Sequence, residues 1–145
     1  MLQKSPKLAE MYARRLREFP GTITNPWRVV IGFDEFYPGR KMDYDANKKV
    51  MCLYLTFFEE STHWYCPCVA RHNEILKIEG GWSRMLAVIL HRYFLGVNGL
   101  SIIGVSFTHG SHTYLFYGKL HILLSDGDGL KVATEWKGAS SLKPE

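Results

Sequence analysis

The segment Trp27–Phe36, WRVVIGFDEF, sets the hardest constraint in the chain, because a carboxylate, Asp34, is embedded in a nearly continuous apolar run. The β-branched and aromatic content of the run predicts a strand buried on both faces. A charge buried there without a partner is costly. A second apolar run, residues 120–126 (LHILLSD), likewise ends on an acid, Asp126, ahead of the glycine-rich turn Gly127-Asp128-Gly129. Two apolar strands that each carry an aspartate at or near their ends shape every further inference about this chain.

The rest of the pattern supplies elements around those strands. Residues 5–19 carry Leu8, Met11, Tyr12 and Leu16 at helical spacing, with Arg14, Arg15 and Arg17 toward the end, where basic groups suit the helix dipole. Pro20-Gly21 stops that helix. Further strands are expected at 50–58 and 64–71, after the polar loop 40–49. Joined by short connections, these two and the 27–36 strand read as a three-stranded antiparallel meander. Residues 82–95 present Trp82, Met85, Leu86, Ile89, Leu90, Tyr93 and Phe94 on one broad face, a helix closing at Gly96. Residues 102–107 and 113–117 read as a hairpin, 120–126 as a returning strand, and 130–137 as a short helix ending at Gly138. The order strands, helix, strands, helix predicts the α/β class.

Composition excludes several classes. At 145 residues, 46% hydrophobic and 22% charged, the chain is neither a disordered tail nor a collagen-like fibre. Three cysteines, Cys52, Cys66 and Cys68, are an odd number without framework spacing. They predict reduced thiols and an intracellular protein. No apolar run reaches the roughly 18 residues of a membrane helix, so a soluble protein without a membrane partner is expected. The 18 basic residues against 14 acidic ones, net +4, permit an anionic partner.

Carboxylates on two neighbouring strands can jointly hold a divalent cation. Mg²⁺ takes oxygen ligands and keeps several waters, and paired ions drive in-line phosphoryl transfer. The bland reading stands beside this one: Asp34 bonds a turn, and Asp126 caps the following helix. Asp128 is open to the same two roles, ligand or cap. Glu35 alternates to the other side of the strand from Asp34 and reads as a surface or ion-pair residue. His63, Cys66, Cys68 and His72 are zinc-type ligands, but Cys-Pro-Cys on a strand is not a usual chelating knuckle, and thiols packed as small apolar groups are the competing reading. Arg14, Arg15 and Arg17 form one basic cluster, and Arg40, Lys41, Lys48 and Lys49 another. Either can contact phosphates or stand solvated. The 40–49 loop is the better phosphate candidate because it leaves the end of the Asp34 strand.

The motif Val30-Ile31-Gly32-Phe33-Asp34-Glu35-Phe36 followed by Pro38-Gly39, with Ile122-Leu123-Leu124-Ser125-Asp126, a helix, Gly138 and Lys143-Pro144, resembles the core of an RNase H-like DDE transposase of the CACTA/Plavaka type. The resemblance covers roughly residues 27–144. It implies an RNase H-like fold: the meander, a crossover helix at 82–95, and the 120–126 strand returning beside the first. Residues 102–117 become a hairpin insertion, and residues 1–26 an N-terminal helix and linker preceding a partial core at 27–145. It implies that Asp34 and Asp126 are catalytic and hold Mg²⁺ or Mn²⁺ in a two-metal arrangement, and that the partner is DNA, in the nucleus or elsewhere inside the cell. Arg40, Lys41 and Lys48 then become the DNA contacts.

The departures from the family pattern shape the expected activity. Glu145 stands where that pattern has a cysteine after Pro144, and the third acid, a Glu on a later helix, has no counterpart. Glu135, nine residues after Asp126, falls in the immediately following helix. The expectation is a truncated catalytic core, ancestrally a Mg²⁺-dependent DNA strand-cleaving and strand-transferring enzyme, with weak metal binding. It would act with the remainder of the transposase or by self-association. The alternative is a non-enzymatic, decayed or co-opted domain that binds nucleic acid or a protein partner.

Overall fold

A computed structural model describes residues 5–37 and 48–125. Asp126, Asp128, Arg40, Lys41 and the expected helix 130–137 lie outside the described residues. The elements are helix α1 (Pro6–Glu18), strands β1 (Trp27–Phe36), β2 (Val50–Phe57) and β3 (Glu60–Arg71), and short helix α2 (His72–Ile75). Helix α3 (Gly81–Leu90) follows and continues into a π-helical turn, His91–Leu95. Strands β4 (Val105–His109), β5 (His112–Phe116) and β6 (Gly118–Leu124) come last. The protein is mixed α/β, with a four-stranded sheet in the order β3-β2-β1-β6 and a separate two-stranded sheet, β4-β5.

Backbone hydrogen bonds show the strand directions. Phe58 N, just past the end of β2, donates to Arg28 O near the start of β1 at 2.8 Å, so β2 runs back along β1. Trp27 N donates to Tyr117 O, just before β6, at 2.9 Å. Strands β1 and β6 therefore start side by side and run parallel. The β4-β5 hairpin is antiparallel, in register from Val105 opposite Phe116 to His109 opposite His112. It begins later than the expected 102–107 strand because Gly104, at φ +67°, bends the chain there.

The expectation that β1 is buried on both faces needs correction. Trp27, Val29, Ile31 and Phe33 are buried at the two-residue period of a strand, whereas Arg28 and Asp34 on the alternate positions are exposed. Val30 alone is buried on the second face, and it is Val30 that makes the run look continuous.

Contacts divide the chain into two compact units. The first holds the residues up to Val30, Thr56–Trp64 and Leu90–Ile122. Its core is aromatic. Tyr12 of α1 lies 5.6 Å from Trp27, 6.0 Å from Phe57 and 5.9 Å from Phe116, centroid to centroid. Trp27 and Phe116 are 4.9 Å apart, within the range where tilted aromatic pairs attract beyond their area burial. The indole N–H of Trp27, which burial would otherwise leave unpaired, donates to Phe19 O at 2.7 Å. Helix α1 buries Ala9, Tyr12, Ala13 and Leu16, one step round from the expected stripe of Leu8, Met11, Tyr12 and Leu16. The two alanines let the helix backbone come close while Tyr12 fills the space. Gly118 allows another close approach: a Cβ there would lie 2.5 Å from Leu100 Cδ2.

The second unit holds Ile31–Leu55, Tyr65–Ile89 and the residues from Leu123 onward. Its buried apolar residues are Ile31, Phe33, Met51, Cys52, Leu53, Ile75, Trp82 and Leu86. Phe33 and the Trp82 ring of α3 lie 5.8 Å apart. His72 N donates to Lys49 O at 2.9 Å, which joins the start of α2 to the approach of β2. No helix among the described residues is long and apolar enough to cross a membrane.

Candidate functional site

Asp34 stands in the second unit, on the exposed face of β1 and opposite in direction to the buried Phe33 and Ile31. Alternation alone carries its carboxylate out of the apolar layer, and so removes the burial cost that the continuous run implies. Asp34 Oδ1 accepts a hydrogen bond from Glu35 N at 2.8 Å. This bond is made within β1, not in a turn, and the residue stands at the surface.

Two of the groups near Asp34, Cys52 and Tyr54, are held above their ordinary values mainly by causes other than its charge. The Cys52 thiol is pushed up by burial first, and the negative charge of Asp34 adds to the effect. The Tyr54 hydroxyl is raised by its hydrogen bond with Cys52, then by desolvation, with Asp34 again contributing. Cys68 is raised by burial and by Cys52. The expected zinc-type ligands make other contacts. His63 Nδ1 sits 2.8 Å from the Thr62 hydroxyl, His72 Nδ1 lies 3.8 Å from Glu35, and Cys66 Sγ donates to Cys68 O at 3.5 Å. Among the described residues no three His, Cys, Asp or Glu side chains gather into a metal-holding group. Cys66, Cys68 and His72 belong to the second unit and His63 to the first.

Glu35 takes the ion-pair role that alternation suggests. Its carboxylate meets Lys49, which burial would lower but which the bond to Glu35 holds above the ordinary lysine value. Lys49 also lies 5.7 Å from the Tyr37 ring centroid. Lys49 is therefore occupied within the fold, whereas its neighbour Lys48 is exposed. Of the expected site residues, Asp34 and Lys48 fall in the same unit. Asp126, Arg40 and Lys41 lie outside the described residues.

The first unit carries a feature that the sequence reading missed. A depression of about 740 Å³ is lined by Arg15, Glu18, Phe19, Trp27, Arg28 and Glu59 among others. Its arginines are neutralised. Arg15 pairs with Glu18 at 2.7 Å and Glu60 at 3.1 Å, and Arg28 pairs with Glu59 at 2.9 Å. The Arg28 guanidinium also sits 3.9 Å over the Phe58 ring. The Glu59-Glu60 doublet is the one signal in the sequence that could have indicated such pairing. Comparison with known proteins gives no match to any family model, curated protein or solved structure.

Proposed function

We propose that this chain carries an RNase H-like core of the DDE transposase type, in which Asp34 and Asp126 hold Mg²⁺ or Mn²⁺ for cleavage and transfer of DNA phosphodiesters. The observation that carries the reading is the strand order β3-β2-β1-β6. It sets a returning strand parallel to the one that bears Asp34, and the apolar run of that returning strand leads directly into Asp126. Asp34 fits a divalent cation as one donor: it is a hard oxygen ligand at the surface of a strand, and Mg²⁺ needs few protein ligands because it retains waters. A bound ion pair would activate water and polarise the phosphodiester. The chain's own part is to present Asp34 on the exposed face of β1, with the exposed Lys48, Arg40 and Lys41 as the cations that would draw a phosphate backbone.

The test is Mn²⁺ binding by electron paramagnetic resonance together with nicking of supercoiled plasmid in Mn²⁺. Asp34→Asn and Asp126→Asn should each weaken Mn²⁺ binding and abolish nicking. If both variants bind Mn²⁺ as the parent does, the site assignment is wrong. If the parent binds DNA without nicking it, the non-enzymatic nucleic-acid-binding reading replaces the catalytic one.

A further inference from the structure

Helix α1 buries Ala9, Tyr12, Ala13 and Leu16 in the first unit, with Leu8 and Met11 half-buried beside them. Its opposite side is exposed and basic. Lys7, Arg14 and Arg17 are exposed, and together with Glu10 and Met11 they line a shallow depression of about 280 Å³. Arg15, in the same sequence cluster, turns inward to Glu18 and Glu60. Among the described residues no carboxylate forms an ion pair with Lys7, Arg14 or Arg17. Arg17 Nη1 donates instead to the Tyr114 hydroxyl at 3.3 Å, a contact that orients the guanidinium without neutralising it. Glu10 leaves this face with two net positive charges.

We propose that the outer face of α1 docks the phosphate backbone of duplex DNA through Lys7, Arg14 and Arg17. Charge complementarity points to an anion, and the spread of the charges points to an extended one. Lys7 and Arg17 are ten residues apart, roughly 15 Å along a helix, which matches about four phosphates of one strand measured along the duplex axis. Guanidinium forks pair bidentately with phosphate oxygens. An anionic membrane fits poorly, because a surface-binding helix inserts an apolar face, and Ala9, Tyr12, Ala13 and Leu16 of α1 are already buried. A single strand fits poorly too: such sites offer aromatic platforms for bases, and this depression has none. The groove of B-form DNA admits a helix, whereas the major groove of A-form RNA is too narrow. This surface belongs to the first unit, Asp34 and Lys48 to the second, and it does not depend on metal chemistry.

The test is fluorescence anisotropy of the full chain with a labelled 20-base-pair duplex of random sequence, titrated with salt in the absence of divalent metal. Three phosphate contacts predict that affinity falls about 40-fold between 50 and 200 mM salt. The triple variant Lys7→Ala/Arg14→Ala/Arg17→Ala should lose that dependence, lowering the logarithmic slope by about 3. Glu10→Gln removes the one acid on the face and should tighten binding, a gain that misfolding cannot mimic. The proposal is overturned if the parent shows no binding at low salt, or if the triple variant binds as tightly as the parent. It is also overturned if RNA duplex or phosphatidylserine vesicles bind more tightly than DNA. Loss of binding on Lys48→Ala with none on the triple variant would place the contact at the Asp34 site and refute this surface alone.

Discussion

Arg15 Nε donates to Glu60 Oε2 at 3.1 Å, tying the last turn of α1 to the first residue of β3. The Glu60 side chain is 3% exposed, and the Thr62 hydroxyl also donates to it. Burial alone would raise the Glu60 carboxyl above its ordinary value. The bonds from Thr62 and Arg15 outweigh burial and hold it below. One arginine of a basic cluster thus serves as a scaffold, while its neighbours Arg14 and Arg17 face solvent. Arg14, Arg15 and Arg17 therefore have different surroundings although they stand close in the sequence.

That balance fixes a pH dependence. A carboxyl depressed in the folded state contributes stability that is fully present above its unfolded value, near 4.5. The contribution is lost as pH falls through the lower folded value. Urea midpoints should therefore decline as pH drops below about 4.5. Glu60→Gln should be less stable than the parent at neutral pH and show a shallower decline over the acid range. Equal slopes for the two proteins would remove Glu60 as the source.

The pair should also show strong coupling. Arg15→Ala leaves Glu60 buried with Thr62 as donor and His63 Nδ1 at 3.7 Å but without its arginine, the costly half of a broken pair. Adding Glu60→Gln to Arg15→Ala removes the stranded charge. The double variant should therefore unfold at higher urea than Arg15→Ala alone. Additive losses in the double-mutant cycle would show that the contact carries no energy.

Local pattern made most of the sheet and α1 legible, and distance along the chain hid the rest. The run WRVVIGFDEF marks β1 to its end residues because β-branched and aromatic side chains crowd it. The same run hid the exposure of Asp34, since buried Val30 masks the alternation. Ile102 and Ile103 read as strand, yet both are more than half exposed, and the left-handed Gly104 turns the chain away there. The π-helical turn at His91–Leu95 arises where Gly96 N reaches back to His91 O at 2.6 Å, a bond that helical periodicity cannot reveal. The Arg15–Glu60 pair spans 45 residues, so neither partner marks the other in the sequence.

Two glycines separate backbone conformation from crowding. Gly104, at φ +67°, has no room for a methyl: a Cβ would lie 2.7 Å from Phe116 O and 3.0 Å from Leu115 Cδ1. Gly110, at φ +60° in the hairpin turn, has nothing within 4 Å. Gly110→Ala should cost only the left-handed strain, about 1–2 kcal/mol. Gly104→Ala should add about 1–3 kcal/mol for displacing its neighbours. Chemical denaturation of the two variants measures the difference, and equal losses would show that the contact at Phe116 yields freely.

Adjacent residues of β1 should behave oppositely, which separates the candidate site from the core. Phe33 is 3% exposed and meets Trp82. Phe33→Ala should cost about 3–5 kcal/mol through lost burial and the cavity left behind. Asp34 is exposed, and its Oδ1 accepts a local bond from Glu35 N. Asp34→Asn keeps the amide oxygen as an acceptor there and should change stability by no more than about 0.5 kcal/mol. Thermal and urea unfolding of both variants check this. The contrast decides how a metal-binding experiment is read. If Asp34→Asn retains full stability and loses Mn²⁺, the loss is local to the carboxylate. If it unfolds as Phe33→Ala does, Asp34 is a structural residue of β1 and its place in the proposed metal site falls.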